Sequence, residues 1–142
     1  MAAFTDEVHI DSPSTTVFDL LADLRNEMRW NGKISKVELT SGEPIGVGSQ
    51  FIVEDKRGEH ETTITVFDRP ERVEFAMSIK EMDVAINYTF TEADGTTTAV
   101  GNFDAQPKGF MKVLLPLLMP MIKRDIAKQH VNIKQLCETQ TD

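Results

Sequence analysis

From Ser41 to Gly95, turn-forming residues recur at nearly regular intervals with alternating apolar and polar runs between them, the pattern of an antiparallel meander. The turn marks are Ser41-Gly42-Glu43-Pro44 with Gly46 and Gly48, then Arg57-Gly58, Asp68-Arg69-Pro70, Glu81-Met82-Asp83 and Ala93-Asp94-Gly95. In Arg72–Lys80, Val73, Phe75, Met77 and Ile79 alternate with Arg72, Glu74, Ser78 and Lys80. In Asp83–Thr91, Val84, Ile86, Tyr88 and Phe90 alternate with Asp83, Asn87, Thr89 and Thr91. Adjacent strands thus share one apolar face, which something must cover. The last third supplies the cover: Pro107 to about Glu138 reads as one long helix, apolar nearly all round at its start. Further along, Ile122, Ile126, Ile133 and Leu136 form a stripe, with Lys123, Arg124, Lys128 and Lys134 on the other faces. Pro116 and Pro120 remove backbone donors along one side and are expected to bend or loosen that turn.

Phe4–Asp11 suits a half-buried first strand, with Phe4, Val8 and Ile10 largely opposite Asp6, His9 and Asp11. Ser12-Pro13 offers an N-cap followed by proline at the first helical position. The helix that follows places Val17, Leu20, Leu21 and Leu24 on one face, and a second short helix covers Arg25–Arg29 and stops at a positive φ near Asn31-Gly32. Thr96–Ala105 allows two facings. Either Ala99, Gly101 and Phe103 point inward and leave space under the helix, or Val100, Asn102 and Asp104 do; the first is favoured, because an unpaired buried carboxylate costs several kcal/mol. The expected architecture is α+β: about seven antiparallel strands in the order β-α-α-β6-α, a curved sheet wrapped on a long C-terminal helix, forming one domain over residues 1–142 with an ordered core at about 4–138.

At 142 residues and 40% apolar content, the chain can build a core without disulfides. Cys137 has no partner and nothing at the N-terminus resembles a signal peptide, so a reducing, cytoplasmic setting is expected. A net charge of −8 argues against nucleic acid. The charge is uneven: residues 1–106 carry 9 basic and 20 acidic side chains, −11 in all, while residues 107–142 carry 6 and 3, giving +3. A basic helix docked on an acidic sheet accounts for this, and a helix resting on a membrane surface would use the same charges. Val113–Ile122 is too short to cross a bilayer and is interrupted by prolines.

Chemistry is harder to read. His9, His60 and His130 lack a ligand partner at metal spacing, no Ser or Cys sits in a nucleophile elbow, and Gly46-Val47-Gly48 lacks the following helix of a phosphate loop, so no metal and no cofactor is expected. Trp30 can stack on a ligand at a cavity mouth or plug the core, and packing is favoured. Tyr88 can donate its hydroxyl to a ligand or serve as a core tyrosine, and the core role is favoured. Arg29, His60, Asn102 and Asp104 are further acid–base or anchoring candidates. Met77, Met82, Met111, Met119 and Met121 offer a deformable wall or ordinary filling. No motif encodes an oligomeric state.

The local wording resembles the START-like, polyketide-cyclase/dehydrase-like superfamily, which includes the birch-pollen-allergen fold. The matching stretches are Ile10-Asp11-Ser12-Pro13 leading to Val17-Phe18-Asp19-Leu20-Leu21-Ala22-Asp23, then Met28-Arg29-Trp30-Asn31 and Gly46-Val47-Gly48-Ser49-Gln50-Phe51. Others are Asp68-Arg69-Pro70-Glu71-Arg72-Val73-Glu74-Phe75, Tyr88-Thr89-Phe90 before Asp94-Gly95-Thr96, and the Pro-bearing, Leu-rich last helix. The resemblance implies a helix-grip fold whose cavity admits a lipid, sterol, polyketide or other small hydrophobic molecule, and it carries over no catalytic set. The expected walls are Trp30, Val73, Phe75, Met77, Ile79, Ile86, Tyr88 and Phe90, faced by Met111, Leu115, Leu118 and Met119 on the helix. Two alternatives stand beside binding: a cyclase or dehydratase using Tyr88 or Asp104 for proton transfer, and a membrane-associated carrier touching lipid through Phe110, Leu114, Leu117 and Met121.

Overall fold

The computed structural model describes residues 2–79 and 81–139, so the expected polar facing of Lys80 lies outside the described residues. Strand β1 (Ala2–Ile10) leads to helix α1 (Ser14–Ala22), a 3-10 turn (Leu24–Asn26) and the short α2 (Glu27–Trp30). Then come β2 (Ile34–Leu39), β3 (Gln50–Asp55), β4 (Gly58–Asp68), β5 (Arg72–Ile79), β6 (Met82–Ala93), β7 (Thr96–Pro107) and helix α3 (Met111–Glu138). The seven strands form one antiparallel sheet in the order β1-β7-β6-β5-β4-β3-β2. This is the α+β helix-grip architecture that the alternation predicts. A bulge between Ile64 and Val66 helps to bend the sheet. Asp94 and Gly95, both at positive φ, close the β6–β7 hairpin in the two-residue form whose twist matches the strands.

Three boundaries differ from expectation. Pro107 still belongs to β7, opposite Met82, and α3 starts only at Met111; a proline at the end of a strand gives up no ladder bond. Helix α3 then runs through Pro116 and Pro120, both exposed. At the start of α1 the cap position is Pro13, not Ser12, whose hydroxyl is buried without a hydrogen bond. The free end is served from across the fold, since the Ser14 amide donates to Glu92 Oε1 at 2.7 Å, and this bond holds the Glu92 carboxyl below its usual pKa. At the end of α2, Asn31 is extended with φ −131°, and there is no positive-φ stop.

The core lies between the sheet and the helices. Phe18 of α1 meets Phe67 and Phe90 edge-on at 5.1 and 5.8 Å, which ties α1 to β4 and β6. Ile133 and Cys137 are the fully buried residues of the far end of α3, with Ile126 and Leu136 packed against the same cluster. Burial pushes the Cys137 thiol up to about 11, so it stays protonated. On β7 the inward set is Ala99, Gly101 and Phe103, as favoured above. The room at Gly101 is filled, however, because an added Cβ would lie 2.9 Å from both the Tyr88 and Phe103 rings.

Candidate functional site

Between the inner face of the sheet and the second half of α3 lies a cavity of about 220 Å³. Its apolar walls come from Leu21 and Leu24 beside α1, Trp30 of α2, Phe75, Ile86 and Phe103 on three successive strands, and Ile126 of α3. The strand residues occupy the inward positions of the period-2 pattern, so their presence here follows directly from the alternation. Polar groups interrupt the wall at Glu27 and Asn31, at Asp55, His60 and Thr62, at Tyr88 and at Gln129. Asp55 and His60 also border a second hollow of about 450 Å³, where Ile79, Met82 and Met111 meet Arg57 and Glu59.

Of the residues expected to line the cavity, Trp30, Phe75, Met77, Ile86 and Tyr88 do so. Ile79 and Met111 border the adjoining hollow instead. Val73 and Phe90 are buried in the core on the α1 side, and Leu115 is buried outside the cavity, with Leu118 and Met119 half-buried near it. The reason is positional: the cavity sits under Ile126 and Gln129, about two to four turns beyond the Leu-rich start of α3. Trp30 is both core and wall, being 6% exposed, and its Nε1 has no partner. Asp104 pairs with Ala85 while its neighbour Phe103 pairs with Ile86, so Asp104 faces the opposite side of the sheet from Tyr88 and cannot exchange protons with a molecule in the cavity. Arg29 and Asn102 are exposed and line no part of it; His60 does.

Behind the wall lies a chain of buried hydrogen bonds that the sequence reading missed. The Tyr88 hydroxyl is 2.9 Å from His130 Nε2, and His130 Nδ1 is 2.5 Å from Asp6 Oδ2. Tyr88 is 5% exposed and His130 2%. The Asp6 carboxylate accepts, which assigns the proton of a neutral imidazole to Nδ1. Burial holds His130 below its usual pKa, outweighing the opposite pull of Asp6, so near neutral pH Nε2 is a lone pair and Tyr88 donates to it. Burial also raises Tyr88, which remains a phenol. Its single proton is therefore directed at His130, and its oxygen keeps lone pairs for the cavity.

Asp6 was legible after all: with Phe4, Val8 and Ile10 it occupies every second position of β1 and shares their face, not the opposite one. His130 falls four residues after Ile126 and three before Ile133, filling the gap in the apolar stripe of α3. Glu27 sits three residues from both Leu24 and Trp30, again on an apolar face. Burial, assisted by the charge of Asp55 and opposed by the Asn31 amide, pushes its carboxyl up to about 7. His60 is moved the other way, below its usual value, mainly by burial.

The family model described as polyketide cyclase / dehydrase and lipid transport matches residues 1–138. No curated protein matches by sequence. Solved structures of the same fold include protein Ms6760 from Mycobacterium smegmatis, with 19% identity and a TM-score of 0.63 over 94% of this chain and 89% of that one. Ara h 8.0201 superposes with a TM-score of 0.69 at 14% identity, covering 93% and 97% of the two chains. The di-domain ARO/CYC StfQ from the steffimycin biosynthetic pathway gives 0.80 at 10% identity, covering 97% of this chain and 51% of its own. At such identities the likeness shows the fold alone.

Proposed function

The chain belongs to the polyketide cyclase/dehydrase and lipid transport family, and from that premise we propose that it binds one small, largely hydrophobic molecule in the cavity between sheet and α3. The observation that carries this reading is the partly open cavity of about 220 Å³ with aromatic and aliphatic walls and a few polar groups among them. The volume limits the occupant. An apolar cavity of about 150 Å³ takes benzene, whereas drug-sized ligands need roughly 300–1,000 Å³. A one- or two-ring molecule, or a short chain, suits this space better than a sterol. Burial would supply the affinity, at about 25 cal/mol per Å² of apolar surface, less the cost of immobilising the ligand.

The test is to incubate the purified protein with an extract of its source cells, repurify and denature it, and identify released small molecules by mass spectrometry. The wild type should release a recurrent compound in stoichiometric amount. Ile86→Trp, which fills the cavity from the sheet side, should remain folded and release none. An empty wild type, or equal loading of Ile86→Trp, would contradict the reading.

A cyclase- or dehydratase-type activity is the second reading, favoured by the acid–base groups at the wall. Glu27, near a pKa of 7, can give or take a proton at neutral pH. On the other side, a substrate proton can pass to the Tyr88 oxygen as the Tyr88 proton moves to His130 Nε2, leaving an imidazolium against Asp6. Loss of turnover in Tyr88→Phe with binding retained would support this reading; unchanged turnover would remove it.

For a carrier, loading from a membrane would use the outer side of α3, where Phe110, Val113, Leu117 and Met121 are exposed in line and Lys112, Lys123 and Arg124 stand beside them. Leu114, expected in that set, is half-buried instead.

A further inference from the structure

The polar part of the cavity is weighted towards carboxyl groups and hydrogen-bond acceptors, with the unpartnered Trp30 Nε1–H a donor among them. Glu27 and Asp55 contribute carboxyl groups, and among the described residues no lysine or arginine lines the space. His60 adds little positive charge at neutral pH, because burial lowers its affinity for a proton. The Asp6–His130–Tyr88 chain turns the tyrosine proton away and leaves an oxygen lone pair towards the cavity. A further acceptor has no partner at all: the Thr62 hydroxyl lines the cavity, and the residue is 1% exposed. A buried hydroxyl left unbonded is costly, and a ligand group that bonds it would recover part of that cost. The Gln129 amide can turn either way, whereas Asn31 is fixed, its Oδ1 accepting from the Lys33 amide and its Nδ2 left to donate to Glu27. Trp30, Phe75, Tyr88 and Phe103 present rings around this pole, and ring faces attract cations.

Resting on the binding reading above, we propose that the occupant is a protonated amine carried on a one- or two-ring apolar body, its ammonium directed at Glu27. A fatty acid or other carboxylate is disfavoured, since its charge would stand among Glu27 and Asp55 with no cation to meet it. The carboxyl of Glu27 fits the same assignment: held near 7 by burial and by Asp55 in the empty cavity, it ionises fully once a cation lies beside it. Binding at pH 7 should therefore release about half a proton.

Calorimetry of the full chain at pH 7 with three indoles of the same ring system tests this: tryptamine, 3-methylindole and indole-3-propionate. Tryptamine should bind at least tenfold more tightly than 3-methylindole, and indole-3-propionate most weakly, with proton release seen for tryptamine alone when two buffers of different ionisation heat are compared. Glu27→Gln should shrink the difference between tryptamine and 3-methylindole to within threefold and abolish the proton release. Equal binding of tryptamine and 3-methylindole, tighter binding of the propionate, or an unchanged preference in Glu27→Gln would overturn the amine assignment while leaving the cavity reading standing. Failure of all three indoles to bind would overturn the cavity reading and the amine assignment with it.

Discussion

A carboxyl held near pKa 7 makes Glu27 costly to the fold whenever it is ionised. In the unfolded chain the same group titrates near 4.5, so below that pH both states are protonated and nothing is lost. Between 4.5 and 7 the cost grows, and above 7 it is complete, at roughly 3 kcal/mol. Glu27→Gln should therefore raise the unfolding free energy by about that amount at pH 8.5 and change it little at pH 4, as read from urea denaturation. An equal gain at both values would mean that ionisation is not the cause. The buried histidines tilt the curve the other way, since their depressed pKa values make acid, not base, the destabilising condition. At this scale the sequence was least transparent. Asp6, Glu27 and His130 each stand where the local period calls for an apolar residue, yet Asp6 was set on the wet face of β1 and the other two were given no place in the core. Asp6 and His130 offset each other's desolvation from distant elements, a pairing invisible until the fold is known, whereas Glu27 keeps most of its cost.

At the scale of elements, strand alternation was legible because one face of each strand is wet and the other dry, which leaves a clean period of two. The long helix was legible in type but not in the placement of its apolar residues. Leucine and methionine at Leu115, Leu118 and Met119 say that water is unwelcome, not which neighbour excludes it. Further along, the same helix grips the core with Ile126, His130, Ile133 and Cys137. Its outer side leaves Leu117 75% exposed, in line with Phe110 and Val113. The basic groups beside them are only partly used: Lys108 pairs with Asp83 at 3.1 Å and Lys123 lies 5.7 Å from the Phe4 ring centre. Sedimentation with vesicles containing phosphatidylserine should therefore retain the wild type at low salt and release it as salt rises. Leu117→Glu should weaken that retention at least tenfold with unchanged thermal stability. Retention equal to wild type in Leu117→Glu would exclude this surface.

At the scale of the whole molecule, the sheet and helices share one core, so a ligand in the cavity is tied to global stability. A compound present at a hundred times its dissociation constant should raise the unfolding free energy by about 2.7 kcal/mol. Thermal denaturation checks this: the midpoint should climb with concentration in the wild type and stay fixed in Ile86→Trp. The strand order has a further consequence for how the chain becomes whole. Of the described strands β1 comes first in the chain, yet its neighbour in the sheet is β7, the last of them. The Asp6–His130 contact spans 124 residues. A growing chain can pair β2 to β7 hairpin by hairpin, but the nine residues of β1 wait as an unpaired arm until β7 is made, and the acid among them waits longer, until α3 brings His130. The hydrogen-bond chain behind the cavity is thus also a seal between the first strand and the last helix of the fold, completed only when α3 reaches back to β1.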